Sequence, residues 1–190
     1  MKKMLEAMLA PIDENAEKTA LALSEKFGDI YKLAAATDDA ILDAVDGKMT
    51  TLVYIRMCYI LASRRITDSF KLGKPHTESE IKEYCKALFI LRPVETLYVM
   101  SEDKDGRIIA VDHAGEGTVS LSGLLPRRLL DIAARRKAKR IIIAHNHPRG
   151  YSDPSEDDIR STDHLRGVLF SAGIELVGHY VVAGADCTAI

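Results

Sequence analysis

Hydrophobic positions recur every three to four residues along the first seventy residues, then give way to short, unbroken apolar runs. The first pattern is that of helices burying one stripe each, and the second is that of strands buried on both faces. Asp13 is placed to cap a helix that runs through Ala16, Ala20, Leu21 and Leu23 to Phe27, with Gly28 as its stop. Thr37 opens a second helix with Ile41, Leu42 and Val45 as its stripe and Gly47 just past its end. A third apolar segment, Leu52 to Leu61, precedes the polar Ser63, Arg64 and Arg65. Gly73 and Pro75 lie in a stretch, 70–76, that has no periodicity, and the domain boundary is expected there. The expectation is a small all-helical domain over 1–72 and a second domain over 77–190.

In the second part, Thr77 and Glu80 have the spacing of a capping box for a helix reaching about Leu91. Thr96–Met100 and Arg107–Val111 flank Lys104, Asp105 and Gly106, a hairpin signal. Pro126 begins a helix to about Ala138, and Ile141–Ala144 is the short apolar run of a buried strand. A helix over Ser155–Ser171 and a strand over Glu175–Val182 follow. Strands and helices alternating around a central apolar run predict an α/β (α+β) layered sheet.

Composition narrows the function classes without naming one. The chain has 190 residues, 47% of them hydrophobic and 28% charged, which excludes wholesale disorder. With 26 basic and 28 acidic residues the net charge is −2, so any nucleic-acid role must rest on a local patch. The three cysteines, Cys58, Cys85 and Cys187, form no CxxC, which argues for a reduced compartment and against a thiolate-rich zinc module. No leader-like or membrane-length apolar run stands out, and the expectation is a soluble, cytoplasmic protein with no membrane contact.

The stretch that carries chemistry is 141–158. Side chains two apart on a strand project to the same face, so His145 and His147 emerge together where the apolar strand meets a loop with Pro148 and Gly150. Two imidazoles so placed suit one divalent metal, zinc in particular. Asp158 is the best third ligand, on the first turn of the next helix, with Glu156 and Asp157 as alternatives. Three protein ligands leave the fourth tetrahedral position to water, the layout of a catalytic rather than a structural site. Ser155 to Asp158 is also a capping box, which needs no metal; the two readings are compatible, because a capped first turn fixes where Asp158 points. From the residues alone, Glu95 and Glu116 are equal candidates for a general base.

The string His145-x-His147, seven residues, then Ser155-x-x-Asp158 resembles the JAMM motif of JAB/MPN metalloproteases, and its surroundings resemble the bacterial RadC branch. Supporting matches are Gly117 and Thr118, Leu125-Pro126-Arg127 before a helix, Ala138 through Gly150, and Gly173 through His179, spread between about Thr77 and Ala183. The resemblance implies a JAB/MPN-like, cytidine-deaminase-like layered fold and one zinc ion per chain held by His145, His147 and Asp158. It places the motif's glutamate, the general base and then acid, on Glu95, and gives Ser155 a part in holding the oxyanion or the attacking water. It implies a protein or peptide substrate.

Departures fall around the site. Arg149 and Tyr151 stand on the loop over the metal where the family usually has Ser and Asp, Leu125 where it commonly has His, and Gly178 where it has Asp. The first 72 residues loosely resemble the RadC helix-hairpin-helix region, but the first turn lacks glycine and the second keeps only Gly47. Basic residues cluster at Arg127, Arg128, Arg135, Arg136, Lys137, Lys139 and Arg140, a solvated face or a weak contact for nucleic acid. His113, His164 and His179 read as isolated packing or surface residues.

The leading expectation is a zinc-dependent hydrolase of the metallopeptidase or isopeptidase kind. The rivals are a metal-dependent nuclease or DNA-associated repair factor, and a non-catalytic interaction module with a vestigial zinc site. Zinc deaminases require a PCxxC pair that is absent, and a barrel amidohydrolase needs more chain after its HxH than is present here.

Overall fold

The computed structural model of the chain describes residues 1–117, 124–148 and 151–190. It divides into two compact units, Met1–Arg65 and Ile66–Ile190. The Gly73–Pro75 break lies within the second unit, where Phe70 stacks on His76 and Tyr84 at ring separations of 3.8 and 3.9 Å.

The first unit is helical: α1 (Lys2–Leu9), α2 (Ala16–Phe27), α3 (Ile30–Ala35), α4 (Asp38–Ala44) and most of α5 (Met49–Ser69). Its core is aliphatic, with Leu5, Leu9, Leu23, Leu33, Ile41 and Ile55 fully buried. Thr37 caps α4 as expected, accepting from the Ala40 N–H. Asp13 does not cap α2, whose N-cap is Asn15. Its buried carboxylate instead accepts from the Asn15 N–H, the Thr19 hydroxyl and the Lys48 ammonium, the last at 3.0 Å to both oxygens. These hydrogen bonds, led by Thr19 and Lys48, hold its pKa below the ordinary value despite burial.

The second unit follows as α6 (Glu78–Phe89), β1 (Thr96–Glu102), β2 (Ile108–Glu116), α7 (Leu124–Arg136), β3 (Arg140–Asn146), α8 (Glu156–Ser171), β4 (Glu175–Ala183) and β5 (Asp186–Ala189). The capping box at Thr77 and Glu80 forms as the spacing requires. Pro126 falls in the first turn of α7, where its missing N–H costs nothing. The last strand, β5, has no apolar alternation to announce it; both of its ends are exposed.

The strands form one sheet in the order β2-β1-β3-β4-β5, antiparallel throughout except for the β3–β4 pair. Central β3 is buried on both faces, which is why it reads as a continuous apolar run. Its Ile141 and Ile143 pack with Leu129 and Ile132 of α7 and Leu165 and Leu169 of α8. Its Ile142 and Ala144 face the other way, against Ile81, Cys85 and Phe89 of α6. The domain is thus a mixed sheet with α7 and α8 on one side and α6 on the other.

Between β3 and β4 the register slips by one residue: Ile141 pairs with Leu176, but Ile142 pairs with Gly178. A Cβ at Gly178 would stand 3.3 Å from the Tyr180 ring and 3.6 Å from Ile142, so the irregularity sits where a side chain fits poorly. Among the described residues, no helix is long and apolar enough to cross a membrane.

Candidate metal centre

His145 and His147 leave β3 at its carboxyl end, on the side covered by α8. His145 is buried to 4% exposure, and the amide of His147 is tied to the Val182 carbonyl of β4 at 2.8 Å. The loop then turns back so that α8 begins directly opposite. Ser155 caps α8: its hydroxyl accepts from the Asp158 N–H at 3.1 Å, and the Asp158 carboxylate accepts from the Ser155 N–H at 2.8 Å and hydroxyl at 2.6 Å. The capping box therefore forms, and it aims Asp158 at the two histidines.

His145 Nε2 and His147 Nε2 lie 3.0 Å apart, with Asp158 Oδ1 3.3 Å from the first and Asp158 Oδ2 3.5 Å from the second. Among the described residues, these three form the one group of histidine, cysteine and acidic side chains with the spacing to hold a metal ion. Zinc–ligand bonds of about 2.0–2.1 Å in a tetrahedron set ligand atoms about 3.3–3.4 Å apart, so the donor set fits such an ion with only slight adjustment. The tautomer fits as well. His147 Nδ1 lies 2.9 Å from the carbonyl of Tyr151, which can only accept, so the proton sits on Nδ1 and Nε2 faces the centre bare.

The charges are shaped by the same contacts. Burial pushes the Asp158 carboxyl up, but the hydroxyl and amide of Ser155, which both donate to it, hold the group well below the usual carboxylate range. It is an anion at any physiological pH, as a metal ligand must be.

Glu95 precedes β1 and is not part of the three-residue group. Leu97 pairs with His145, and continuing that antiparallel register by two residues sets position 95 opposite His147. Leu97 and Val99 face α7 and α8, so alternation places Glu95 on the same side of the sheet as the histidines. Glu116, at the end of β2, is bound up with Arg92 at 3.4 Å and His113 at 3.5 Å. Of the residues around the mouth, Arg149 lies outside the described residues, as do Thr118 and Gly150. Tyr151 is 83% exposed, and its backbone carbonyl, not its ring, touches the site.

Three residues escaped the sequence reading. Asn146, between the two histidines and facing away from them, accepts from the Thr96 N–H at 2.7 Å and donates to the carbonyls of Arg92 and Val94 at 3.1 and 3.2 Å. With the Gly117 N–H on the Glu95 carbonyl at 2.8 Å, it fixes the segment carrying Glu95 against the end of β3. A buried asparagine beside an apolar run was the available signal. His179 of β4 is not isolated. Its Nε2 lies 2.8 Å from His145 Nδ1, and its Nδ1 lies 2.6 Å from the Thr162 hydroxyl of α8. Burial, and then the neighbouring His145, push its pKa down to about 3.

The basic cluster is partly neutralised. Arg136 forks onto Asp112 at 2.9 and 2.6 Å, and Arg140 lies between Glu102 at 3.3 Å and Glu175 at 3.5 Å. Arg127, Arg128, Arg135, Lys137 and Lys139 are exposed.

Comparison with known proteins agrees with this architecture. The family model described as a RadC-like JAB domain matches residues 76–190. The chain is 32% identical over 171 residues to a UPF0758 protein of Chromobacterium violaceum, covering 90% of this chain and 76% of that protein. It is 29% identical over 181 residues to a UPF0758 protein of Cupriavidus necator, covering 92% and 79%. A UPF0758 protein of Vibrio cholerae matches at 27% over 165 residues, covering 86% and 74%. With its mixed sheet and the His-His-Asp group at the end of β3, the chain belongs to the RadC family, and its second unit is a RadC-like JAB domain.

Proposed function

We propose that the second unit is a zinc-dependent hydrolase domain that cleaves peptide or isopeptide bonds. The observation that carries this reading is the meeting of His145 Nε2, His147 Nε2 and the Asp158 carboxylate within 3.0–3.5 Å at the end of β3. Three such ligands suit zinc with one position left to water. Bound there, zinc supplies a Lewis acid and a water whose pKa is lowered toward about 7. The carboxylate of Glu95 takes a proton from the attacking water and returns it to the leaving nitrogen. Asn146 holds the segment that carries this base. Ser155 orients Asp158, and its hydroxyl serves the developing oxyanion only by leaving the Asp158 oxygen it now holds.

The exposed Arg127, Arg128 and Arg135 keep a second reading in view, a nuclease or DNA-associated repair factor. Arg136 and Arg140 are already engaged by carboxylates, which weakens that patch. Elemental analysis and turnover on parallel peptide and nucleic-acid panels decide between them. The expected result is one zinc per chain and peptide or isopeptide cleavage lost in Glu95→Gln. Metal-dependent cleavage of nucleic acid alone selects the second reading, and zinc binding without turnover on either panel selects a binding module.

A further inference from the structure

The hydrogen bonds behind His145 run in one direction only, which proton counting shows. The Thr162 hydroxyl lies 2.6 Å from the Asp158 carbonyl oxygen and 2.6 Å from His179 Nδ1. Contacts this short each need one proton between the two heavy atoms. The carbonyl can only accept, so the single hydroxyl proton of Thr162 goes to it, and the Nδ1 proton of His179 goes to Thr162. The hydrogen-bond partners of His179 are an imidazole and a hydroxyl, neither of them anionic, and the ring is buried to 4% exposure. A neutral ring with its proton on Nδ1 leaves Nε2 as an acceptor, and the 2.8 Å contact to His145 is filled by the Nδ1 proton of His145. With His145 neutral, its Nε2 is bare and faces His147 and Asp158.

We propose that His179, set by Thr162, is a positioning residue that locks His145 in the tautomer able to bind a metal. The inference rests on the proposed metal site and extends it by one layer. The slip of register in β4 makes the contact possible: Leu176 and His179, three residues apart, both face α8, which plain alternation forbids. The chain of bonds also closes on itself. It leaves His145, passes through His179 and Thr162, and ends on the backbone of Asp158, so one ligand's tautomer is set from the residue that bears another. The outer partner is an imidazole where a carboxylate or backbone carbonyl is usual, so it orients the ligand without adding negative charge behind it.

The test uses the full chain, with zinc as the probe. Nitrogen-15 correlation spectra of the zinc-free protein report the tautomer of His145 directly. A proton on Nδ1 supports the inference, and a proton on Nε2 overturns it. Competition with a chromophoric chelator then measures zinc affinity, and a thermal melt of the zinc-free protein monitors the fold. Outer partners of metal ligands are commonly worth about 10–100-fold in affinity. Thr162→Val and His179→Leu are expected to weaken zinc binding within that range, with His179→Gln, which keeps an acceptor, recovering much of it. Zinc affinity within twofold of the parent in both Thr162→Val and His179→Leu overturns the inference. A parent protein that binds no zinc defeats the proposed function instead, and the tautomer spectrum still decides the role of His179.

Discussion

Two clusters of buried and half-buried polar groups, one in each unit, have opposite electrostatics. Around Asp13 every acceptor faces a donor: the carboxylate has an amide, a hydroxyl and an ammonium on it. At the end of β3, His145 Nε2, His147 Nε2 and Asp158 are three acceptors turned toward one another, with their donors all on the outside. The first cluster completes itself and holds α2 to the loop before α5. The second is complete only around a cation. Buried polar groups that satisfy each other support a fold, whereas buried lone pairs that converge mark a place for something else.

The sharpest way to break the comparison is to remove one acceptor. His147→Ala is expected to abolish the zinc equivalent and to lower any hydrolytic rate by about a thousandfold or more, as read by elemental analysis and turnover. Its zinc-free melting temperature should stay at or above that of the parent, because a repulsion is relieved. A tight zinc equivalent surviving in His147→Ala would sink the ligand assignment.

Zinc is the cation proposed for this group. At about a hundred times its dissociation constant it should stabilise the folded chain by about 2.7 kcal/mol, seen as a raised melting temperature. Asp158→Asn should show much less of this gain, and Asp13→Asn should show all of it.

Asn146 ties the proposed base, Glu95, to the end of β3. Asn146→Ala frees the segment around Glu95 and should cost about a hundredfold in turnover number, since ångström-scale misplacement has that effect. Zinc affinity should stay close to the parent value, because no metal-facing atom changes. A parallel loss of zinc would show Asn146 supporting the ligands rather than Glu95.

The smallest effect belongs to the self-satisfied cluster. Asp13→Ala leaves Lys48 and Thr19 without their acceptor and should cost about 1–3 kcal/mol of stability with no change in zinc binding. The sign of its pH dependence follows from a lowered native pKa. Its contribution is fully present above the ordinary value of 3.8 and is lost as pH falls from there through the native value. Urea melts between pH 6 and pH 2 should therefore converge for parent and Asp13→Asn at the acid end.

Much of the site was legible because it obeys local rules. The HxH at a strand end and the capping box at Ser155 are patterns with spacings of two and three residues, and the fold honours both. The hairpin of β1 and β2 and the continuous run of β3 were legible for the same reason. What could not be read depends on partners far along the chain. Asp13 has the right residue type for a helix cap, but Lys48, 35 residues away, claims its carboxylate. His179 reads as isolated in the sequence because its partners, His145 and Thr162, lie 34 and 17 residues away and the register slip that turns it toward them is invisible to alternation. Glu95 could be separated from Glu116 only by family resemblance, since the strand pairing whose continuation points it toward His147 joins segments about fifty residues apart.

That slip in β4 also changes what the strand can tolerate over generations of sequence change. An insertion or deletion of one residue in a plain strand exchanges the two faces of everything beyond it and is ruinous here, where one face carries His179 against His145 and Thr162 and the other the aromatic core. Val177 is the exception. It is the residue the pairing passes over, so its deletion leaves Leu176 beside Ile141, Gly178 beside Ile142 and His179 beside Ile143. The strand has a single seam at which its length can change by one while its reading frame is kept.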